Sequence, residues 1–524
     1  MRLGIDFGTT RTVVAFCDRG NYPVVSFADE VGDAVECFPS VVAEKDGHLR
    51  FGFEAERLAA DPEWTVLRSF KRALGERSPD ATVQIGSTRI RMADLLAQFF
   101  AALAAAFYTR SNVAAAALIE PNEPLEVFVA APANAHSTQR FICLDAFRRA
   151  GFEVLGLLNE PSAAGFEYTH RYRSTLTWKK DHVVVYDIGG GTFDVSLLRM
   201  SGPLHEVIAT SGINRLGGDD FDEVLLELAL SRAHLDRRSI SSRAVRTLLD
   251  QCRHLKEQLH PSSRRVVVDL GTTLGRAAPK ADVSIDVGDF YERCAPLVDR
   301  TIEAMVGVLE RLAPGQAVDG AKLPQEIAGI YVVGGASSLP CVARALREGF
   351  GKRVHRSPYP SAAAAIGLAI AADENAGLRL ADRFSRVFGV FREGDGGTEV
   401  TFDPIFDQDV LLPETPQRPA VVERTYRAAH NIGHFRYVEC SEVDRTGHPR
   451  GDMARFADIY FPFDPHLRDD RAELGSVGVR RFDADGPLIR ETYAVGAQGI
   501  VEVRIANLDD HYEFAYRLAP GDTA

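Results

Sequence analysis

The sequence is poor in long apolar runs and in paired cysteines. Its longest apolar stretch, LLAQFFAALAAAFY at 95–108, contains Gln98 and is too short to span a bilayer. The seven cysteines show no CxxC spacing, which argues against a zinc site and against a disulfide framework. The first predicted strand begins within three residues of the N-terminus, so no charged and apolar leader precedes it. We therefore expect a cytoplasmic protein with reduced cysteines and no membrane partner.

Positive charge is also scarce. Lysine and arginine number 60 against 73 aspartates and glutamates, which gives a formal net charge of −13. This balance argues against a nucleic-acid partner. With 45% hydrophobic and 25% charged residues, the composition is that of an ordinary soluble protein, and 524 residues are enough for about three domains.

The most informative stretch is VVVYDIGGGTFDVSLL at 183–198, which predicts two strands joined by a glycine turn. Glycine has no Cβ, so the bare backbone amides of such a turn can approach a polyphosphate. Asp187 offers a hard oxygen to Mg²⁺ or to its water shell. The residues predicted to hold phosphate here are Gly189, Gly190, Gly191 and Thr192, of which Thr192 adds a hydroxyl group.

A second copy of this hairpin lies near the start of the chain, in LGIDFGTTRTVVAF at 3–16. Asp6, Gly8, Thr9 and Thr10 take the places of the aspartate, glycine and threonine of the first motif. An aspartate–glycine–threonine hairpin repeated after about 180 residues predicts a duplicated domain whose two halves face each other and hold one nucleotide between them.

The paired hairpins resemble those of the actin, hexokinase and heat-shock ATPase superfamily. IDFGTT together with DIGGGTFDVSLL is most similar to the seventy-kilodalton heat-shock chaperones of the DnaK type. The resemblance implies an α/β fold, with a two-lobed actin-like (ribonuclease H-like) ATPase domain followed by a small β-sandwich. It also implies ATP or ADP with Mg²⁺, K⁺ as a further ion, unfolded or extended peptide clients, and J-domain and nucleotide-exchange co-chaperones.

Three further motifs carry the resemblance into the catalytic groups. FKRALG at 70–75 is similar to the family segment that brings a lysine to the γ-phosphate, and NEPSAA at 159–164 to the segment with the cleft glutamate. The block at 132–151 resembles the one that relays nucleotide state to the family's interdomain surface, through Pro132 and Arg140. The resemblance implies catalytic roles for Lys71, Glu160, Asp187, Thr192 and Asp194, and metal binding by Asp6 and Asp187.

Later segments resemble the remaining nucleotide contacts. These are GGDDFD at 217–222, LLDQCRHLKEQLH at 248–260, IYVVGGASSLP at 330–340 and the closing helix YPSAAAAIGLAIAA at 359–372. The residues that the resemblance assigns to nucleotide binding are Gly8, Thr9, Thr10, Gly189, Gly190, Gly191, Thr192, Gly217, Gly218, Lys256, Gly334, Gly335 and Ala336.

The sequence departs from the family at the base-binding end. Glu257 and Ser338 stand where the family has two arginines that stack on adenine, and Arg253 stands where an acid is usual. We therefore expect the binding energy to be concentrated on the triphosphate and metal, with a site tolerant of GTP.

The composition changes after residue 372. We predict an ATPase domain at 1–375, a polar linker at 376–386 and a β-rich domain at 387–524, where strands alternate with Gly, Pro and Asp. GIVEV at 499–503 resembles part of the family's peptide-binding sandwich. Because the chain ends at Ala524, we expect no helical lid, and the linker lacks the family's leucine-rich run.

Two other classes of protein share the superfamily. An actin-like filament subunit normally ends near the ATPase domain, so the β-rich tail argues against it. A sugar or metabolite kinase needs a base beside an acceptor alcohol, whereas the NEPSAA and FKRALG blocks favour water as the acceptor. An ATP-hydrolysing chaperone is the interpretation that the sequence favours.

Overall fold

The structure is a computed structural model. It describes residues 1–76, 81–275, 278, 280–312, 323–394, 399–413, 418–468 and 471–517. The first lobe contains the duplicated motif's N-terminal copy, and its strands and helices are β1 (Arg2–Phe7), β2 (Arg11–Phe16), β3 (Phe27–Ala28), β4 (Ala34–Val35), β5 (Phe38–Pro39), β6 (Val41–Lys45), β7 (His48–Phe51), α1 (Gly52–Leu58), β8 (Thr65–Arg68), β9 (Thr82–Ile85), β10 (Thr88–Arg91), α2 (Met92–Arg110), α3 (Asn112–Ala115), β11 (Glu126–Ala131), α4 (Ser137–Arg149), β12 (Glu153–Asn159) and α5 (Glu160–Tyr172).

The second lobe begins with the strand that leads to the central glycine turn. Its elements are β13 (His182–Ile188), β14 (Phe193–Ser201), β15 (Leu204–Ile213), α6 (Gly218–Arg232), α7 (Ser242–Glu257), β16 (Arg265–Asp269), α8 (Gly271–Leu274), β17 (Asp282–Asp286), α9 (Val287–Leu309), β18 (Ile327–Val333), α10 (Pro340–Phe350), β19 (Val354–Arg356), α11 (Ala363–Ala372) and β20 (Arg379–Ala381). Short 3₁₀ helices at Phe70–Glu76 and Gly335–Ser338 also contribute to the site described below.

The two lobes repeat one sheet topology. The first sheet has the order β12-β11-β1-β2-β5 and the second β19-β18-β13-β14-β15-β20. In both sheets, the strand that enters the glycine turn is antiparallel to the strand that leaves it and parallel to its other neighbour. The predicted duplication and the α/β fold class are confirmed, and the two turns therefore occupy equivalent places in the two lobes.

The remaining strands form a sandwich. They are β21 (Val387–Gly394), β22 (Glu399–Phe406), β23 (Ala420–Arg427), β24 (Ile432–Val443), β25 (Pro449–Pro462), β26 (Leu488–Val495), β27 (Val501–Asn507) and β28 (Tyr512–Tyr516). One sheet has the order β22-β21-β24-β25 and the other β23-β26-β27-β28. Alternate residues such as Val501, Val503 and Ile505 are buried between the sheets, beside Phe388 and Tyr437, while the residues between them face water.

The segment predicted as a linker contains a strand. β20 pairs in parallel with β15 and so becomes the edge strand of the second lobe's sheet. Leu380 packs partly against the core beneath it. The predicted domain limits stay a prediction, but the polar composition of 376–386 concealed this pairing, because a partner so distant in sequence leaves no local pattern.

The apolar run at 95–108, which by itself is too short to span a bilayer, lies within a longer helix. α2 has 19 residues and is, by length and composition, long enough to cross a membrane. Leu95, Phe99 and Phe100 are fully buried, however, and Phe7 meets the last two with ring centroids 5.5 and 5.1 Å apart. α2 thus forms part of the first lobe's aromatic core, directly beneath strand β1 and its turn.

Two helices between the lobes set how closely the lobes approach. α5 follows the first sheet but packs against β13 and β14, whereas α11 follows the second sheet but packs against β1, β2 and β11. The two helices also touch each other, and a methyl group at Gly367 of α11 would overlap the carbonyl group of Ala163 of α5. Glycine at 367 therefore allows the contact on which the spacing of the two turns depends.

We expect Gly367→Ala to lower the free energy of unfolding by at least about 2 kcal/mol, because the overlapping atoms are backbone and the helices must separate. Gly307→Ala in α9 is the matched control. The new methyl group at position 307 meets open space. Because alanine has the higher helix propensity, we expect this variant to leave the free energy of unfolding unchanged or to raise it by up to about 1 kcal/mol. Urea denaturation compares the two variants, and equal midpoints would show that the α5–α11 contact tolerates a methyl group.

Candidate functional site

The two glycine turns have the same hydrogen-bonding pattern and meet in the cleft. Gly8 N donates to Arg11 O at 3.1 Å, and Gly189 N donates to Thr192 O at 2.9 Å. A Cβ at Gly190 would lie 2.9 Å from the Thr10 side chain, so the turns approach more closely than other residues would allow. The two motifs that the sequence predicted to be equivalent thus form turns of the same hydrogen-bonding pattern, which face each other across the cleft.

These turns leave several amides available. Across the described ranges, no backbone acceptor is recorded for the amides of Thr9, Thr10, Gly190 and Gly191. The amide of Gly189, which we expected to face phosphate, instead closes its own turn, so that part of the prediction is wrong. Unbonded amides from two facing turns form a concave donor surface of the kind that binds phosphate oxygens.

Beneath the turns, Lys71 forms a buried ion pair. The 3₁₀ helix Phe70–Glu76 brings Lys71 Nζ to 2.7 Å from Glu160 Oε1, and both side chains are about nine-tenths buried. Glu160 is the first residue of α5, followed by Pro161, and the positive end of the helix dipole favours its negative charge. Lys71 Nζ also lies 5.4 Å from the centroid of the Phe7 ring, on the aromatic core.

Three aspartates share this floor with the ion pair. Burial and the charge of Glu160 raise the pKa of Asp6 to about 7, although Lys71 opposes the shift. The same two causes raise the pKa of Asp194 to about 7, and that of Asp187 well above its usual range. Burial alone would lower the pKa of Lys71, but the charges of Glu160 and Asp6 outweigh it and leave the pKa raised. The floor therefore carries more negative than positive charge.

The loop at 217–222 packs against the glycine turn at 189–192, and Lys256 holds this loop in place. Gly218 N donates to Gly189 O at 2.9 Å, and Asp219 N to Gly190 O at 2.8 Å. Lys256 Nζ lies 2.6 Å from both Gly218 O and Asp222 Oδ1. Lys256 thus fixes the loop as well as facing the cavity, which its predicted role as a nucleotide contact did not include.

A cavity of 320 Å³ lies between the lobes and brings most of the predicted residues together. The predicted residues in its wall are Asp6, Gly8, Thr9, Thr10, Lys71, Glu160, Asp187, Gly189, Gly190, Thr192, Gly218, Lys256, Gly334, Gly335 and Ala336. Gly191, Gly217 and Asp194 lie behind the wall. Asp194 Oδ1 accepts the amide of Ala133 at 3.0 Å, and Gly217 packs against the 189–191 backbone.

Arginines other than the two of the family motif lie in or beside the cavity wall. Arg11 lines the wall and pairs with Glu257 across the cleft at 2.6 Å, and Arg253 lines it from one helical turn before Lys256. Arg356 of β19 donates to Ser338 Oγ at 2.7 Å. Glu257 and Ser338 stand in the places of the two family arginines, and these guanidinium groups come from other positions. Binding energy concentrated on the triphosphate and tolerance of GTP stay predictions.

The family assignment follows from comparison with known proteins. Residues 2–384 match the family model "Hsp70 protein". A "Chaperone protein HscA homolog" of Burkholderia ambifaria (strain MC40-6) is 35% identical over 392 residues, which cover 72% of this chain and 59% of the relative. A protein of the same name from Polynucleobacter necessarius subsp. necessarius (strain STIR1) is 34% identical over 402 residues, with the same coverage. The chain belongs to the Hsp70 family.

Membership in the Hsp70 family confirms the resemblance and the fold class that we predicted. The filament and kinase alternatives are not favoured. The chain spans 59% of the length of these curated relatives, and the family match ends at residue 384, before the β-sandwich.

Some cavity residues of this Hsp70 chain could have been found in the sequence and others could not. Arg11 directly follows Thr10 in the first motif, and Arg253 lies three positions before Lys256 on the same helix face, so both had a local signal. Arg356, which does not line the cavity but donates to Ser338 in its wall, had no such signal, because only the parallel pairing of β18 with β19 places it beside Ser338.

Gly334 offers a sharp test of the cavity. Its φ is +84°, and a Cβ there would overlap both Ile188 O and the Asp187 carboxylate. We expect Gly334→Ala to displace Asp187 and weaken ATP binding, measured by calorimetry with Mg²⁺, by at least roughly tenfold. Gly349→Ala in α10 meets open space and should bind as the parent does. Parental affinity in Gly334→Ala would exclude Asp187 from the nucleotide site.

Proposed function

We propose that this chain is an ATP-hydrolysing chaperone that couples its nucleotide state to the binding of unfolded or extended polypeptide. The observation that carries the proposal is the pair of facing turns with unbonded amides above the Lys71–Glu160 ion pair. J-domain and nucleotide-exchange co-chaperones and a cytoplasmic location belong to the same proposal, and K⁺ binding stays a prediction.

The donor set at the cavity floor fits a hydrated Mg²⁺ ion. Asp6 and Asp187 are hard oxygen donors. Burial first, and then the charge of Glu160, raises the pKa of each, while Lys71 opposes the shift. Among the residues that the structure describes, no group of three His, Cys, Asp or Glu side chains converges as a direct metal cage. Asp6 and Asp187 would therefore hold the ion through its water shell, where it would neutralise part of the triphosphate charge.

The chain's own groups account for the rest of the proposed reaction. The amides of Thr9, Thr10 and Gly190, with the threonine hydroxyls, would orient the phosphates. Lys71 Nζ would donate to a γ-phosphate oxygen and stabilise its developing charge, while Glu160 fixes the position of Lys71. Glu160 would orient the attacking water. Asp194, to which the resemblance gave the same role, lies behind the cavity wall and would act only through its charge. Such chemistry consists mainly of positioning and charge stabilisation.

Removal of the Lys71 ammonium group tests this mechanism. We expect Lys71→Ala to lower single-turnover ATP hydrolysis by two to three decades, on the order of 3–4 kcal/mol, while ATP binding is largely kept. Lys45→Ala is the control, because Lys45 forms an ion pair with Glu63 on the surface of the same lobe. Parental hydrolysis by a normally folded, ATP-binding Lys71→Ala protein would contradict the catalytic role.

The proposed coupling rests on direct contacts between the sandwich and the ATPase lobes. The Glu439 carboxylate accepts the amide of Ser137 at 3.0 Å, at the N-terminus of α4. Arg386 is fully buried and donates to Asn134 O at 3.2 Å and to Asp452 O at 2.7 Å. Arg140 donates to Gln498 O at 3.3 Å. These bonds join the sandwich to α4 and the loop before it.

One amide side chain links these contacts to the catalytic floor. Asn159 immediately precedes Glu160, and its Nδ2 donates to both carboxylate oxygens of Asp382 at 3.1 and 2.9 Å. Its Oδ1 accepts from Arg140, which reaches the sandwich. Burial raises the pKa of Asp382 to about 6, with Arg140 opposing the shift, so the carboxylate is ionised at pH 7.5. Asn159 thus connects Glu160, the segment after β20 and the sandwich.

We expect Asp382→Ala to abolish the increase in ATPase rate caused by a permanently unfolded protein, while ATP affinity stays parental. A buried bond to a charged group is typically worth about 1.5–3 kcal/mol, enough to shift a two-state equilibrium by roughly ten- to a hundredfold. Phosphate release is measured with and without reduced, carboxymethylated α-lactalbumin. Asp483→Ala, an exposed acid of the sandwich, serves as the control. Undiminished stimulation in Asp382→Ala would rule out this route of coupling.

A further inference from the structure

A tight hairpin on the second lobe presents an unusual side chain to water. Thr177 and Lys180 exchange both backbone hydrogen bonds, at 3.0 and 2.9 Å, so the two residues between them form a well-defined tip. Trp178 at this tip is 85% exposed, the largest value among the described large hydrophobic residues. Trp64, the other of the chain's two tryptophans, packs partly against the first lobe.

The geometry of the turn does not require this tryptophan. Two-residue hairpin turns usually contain glycine or asparagine with positive φ. Neither Trp178 nor Lys179 has a positive φ, so a small polar residue would form the same turn while exposing far less apolar surface. The backbone thus displays the indole ring without using it for packing.

One cation lies over the exposed ring, and two more are close to it in the sequence. Lys179 Nζ lies 4.7 Å from the centroid of the Trp178 ring, and Lys180 and Arg173 are also exposed. Within the described part of the chain, no ion pair is recorded for any of these three cations. Of the nearby acids, Asp181 is held by the His182 ring at 2.7 Å. We use the name tryptophan patch for the set Trp178, Lys179, Lys180 and Arg173.

We propose that the tryptophan patch docks an acidic segment of a partner protein, with Trp178 against its apolar side chains and the three cations beside its carboxylates. Tryptophan and arginine are among the residues most enriched in interface hot spots. The chain's net charge of −13 favours a short segment over an anionic bilayer. At a Debye length of about 8 Å a short segment meets only the patch, whereas a bilayer also faces the acidic remainder.

This docking site is separate from the nucleotide cavity. The hairpin precedes the first residue of β13, and the glycine turn of the cavity follows its last residue. A strand of seven residues separates the two by about 20 Å. The proposal therefore does not depend on ATP hydrolysis or on client binding, and ATP affinity serves as an independent check that each variant is folded.

The test uses the full chain with Trp64→Phe, which leaves Trp178 as the single tryptophan. The probe is a synthetic peptide of eight glutamates and four leucines. We expect saturable binding with a blue shift of Trp178 emission, weakened at least roughly tenfold when salt rises from 50 to 500 mM. The double variant Lys179→Glu/Lys180→Glu should lose roughly tenfold or more in affinity, whereas Arg347→Glu/Lys352→Glu, at the end of α10 and in the 3₁₀ turn after it, should not.

Three results would overturn the proposal. A peptide with lysines in place of the glutamates that binds equally well would show apolar contact alone. A shift with vesicles containing 30% phosphatidylserine, but not with the acidic peptide, would assign the patch to a membrane surface. No response to either probe, in a protein that binds ATP normally, would show that the hairpin is simply a solvated turn.

Discussion

An excess of buried negative charge at the floor of the cleft is the constraint on which the rest of the structure depends. Asp187, Asp194 and Glu160 are buried around a single ammonium group, Lys71, with Asp6 half-buried beside them. Carboxylates so placed are stable only with compensating charge, and the raised pKa values of the aspartates express that cost. A floor of this kind is suited to a cation, and the glycine turns above it present donors suited to a polyanion, which is the basis of the proposed function.

Duplication explains how one cavity obtains donors from both sides. Each lobe contributes an aspartate at the end of a strand and a turn of the same hydrogen-bonding pattern. The lobes are kept at the required distance by α5 and α11, each packed on the sheet of the other lobe. A change in lobe spacing must pass through these helices, and α5 begins at Glu160, next to the Asn159 contacts that lead to the sandwich. Glu160 of the ion pair and Asn159, which makes contacts toward the sandwich, are therefore neighbours at the start of α5.

Local sequence patterns predicted the two glycine hairpins, because hairpins are encoded by neighbouring residues, whereas most cavity residues were predicted from the family resemblance. The turns at 8–11 and 189–192 are the hairpin cases, and Lys71 and Glu160 are cases of residues found through the resemblance. Pairings between distant segments were not predictable. β20 joins β15 and Arg356 reaches Ser338 only through sheet neighbours far apart in the chain, and the position of Asp194 behind the cavity wall depends on the Ala133 amide. The catalytic roles themselves stay predictions, since geometry shows proximity and not rate.

The placement of β20 has a consequence for how the protein behaves at high concentration. A sheet edge with unpaired amide and carbonyl groups is a template for strands of other molecules, and β20 covers part of that edge on β15 with only three residues. A strand of three residues is held by few hydrogen bonds. If β20 dissociated, the edge of β15 would be open to pairing with another copy of the chain. The segment between the domains would thus protect the second lobe from self-association, a role that its polar composition and shortness suit, since a longer apolar strand would itself be prone to aggregate.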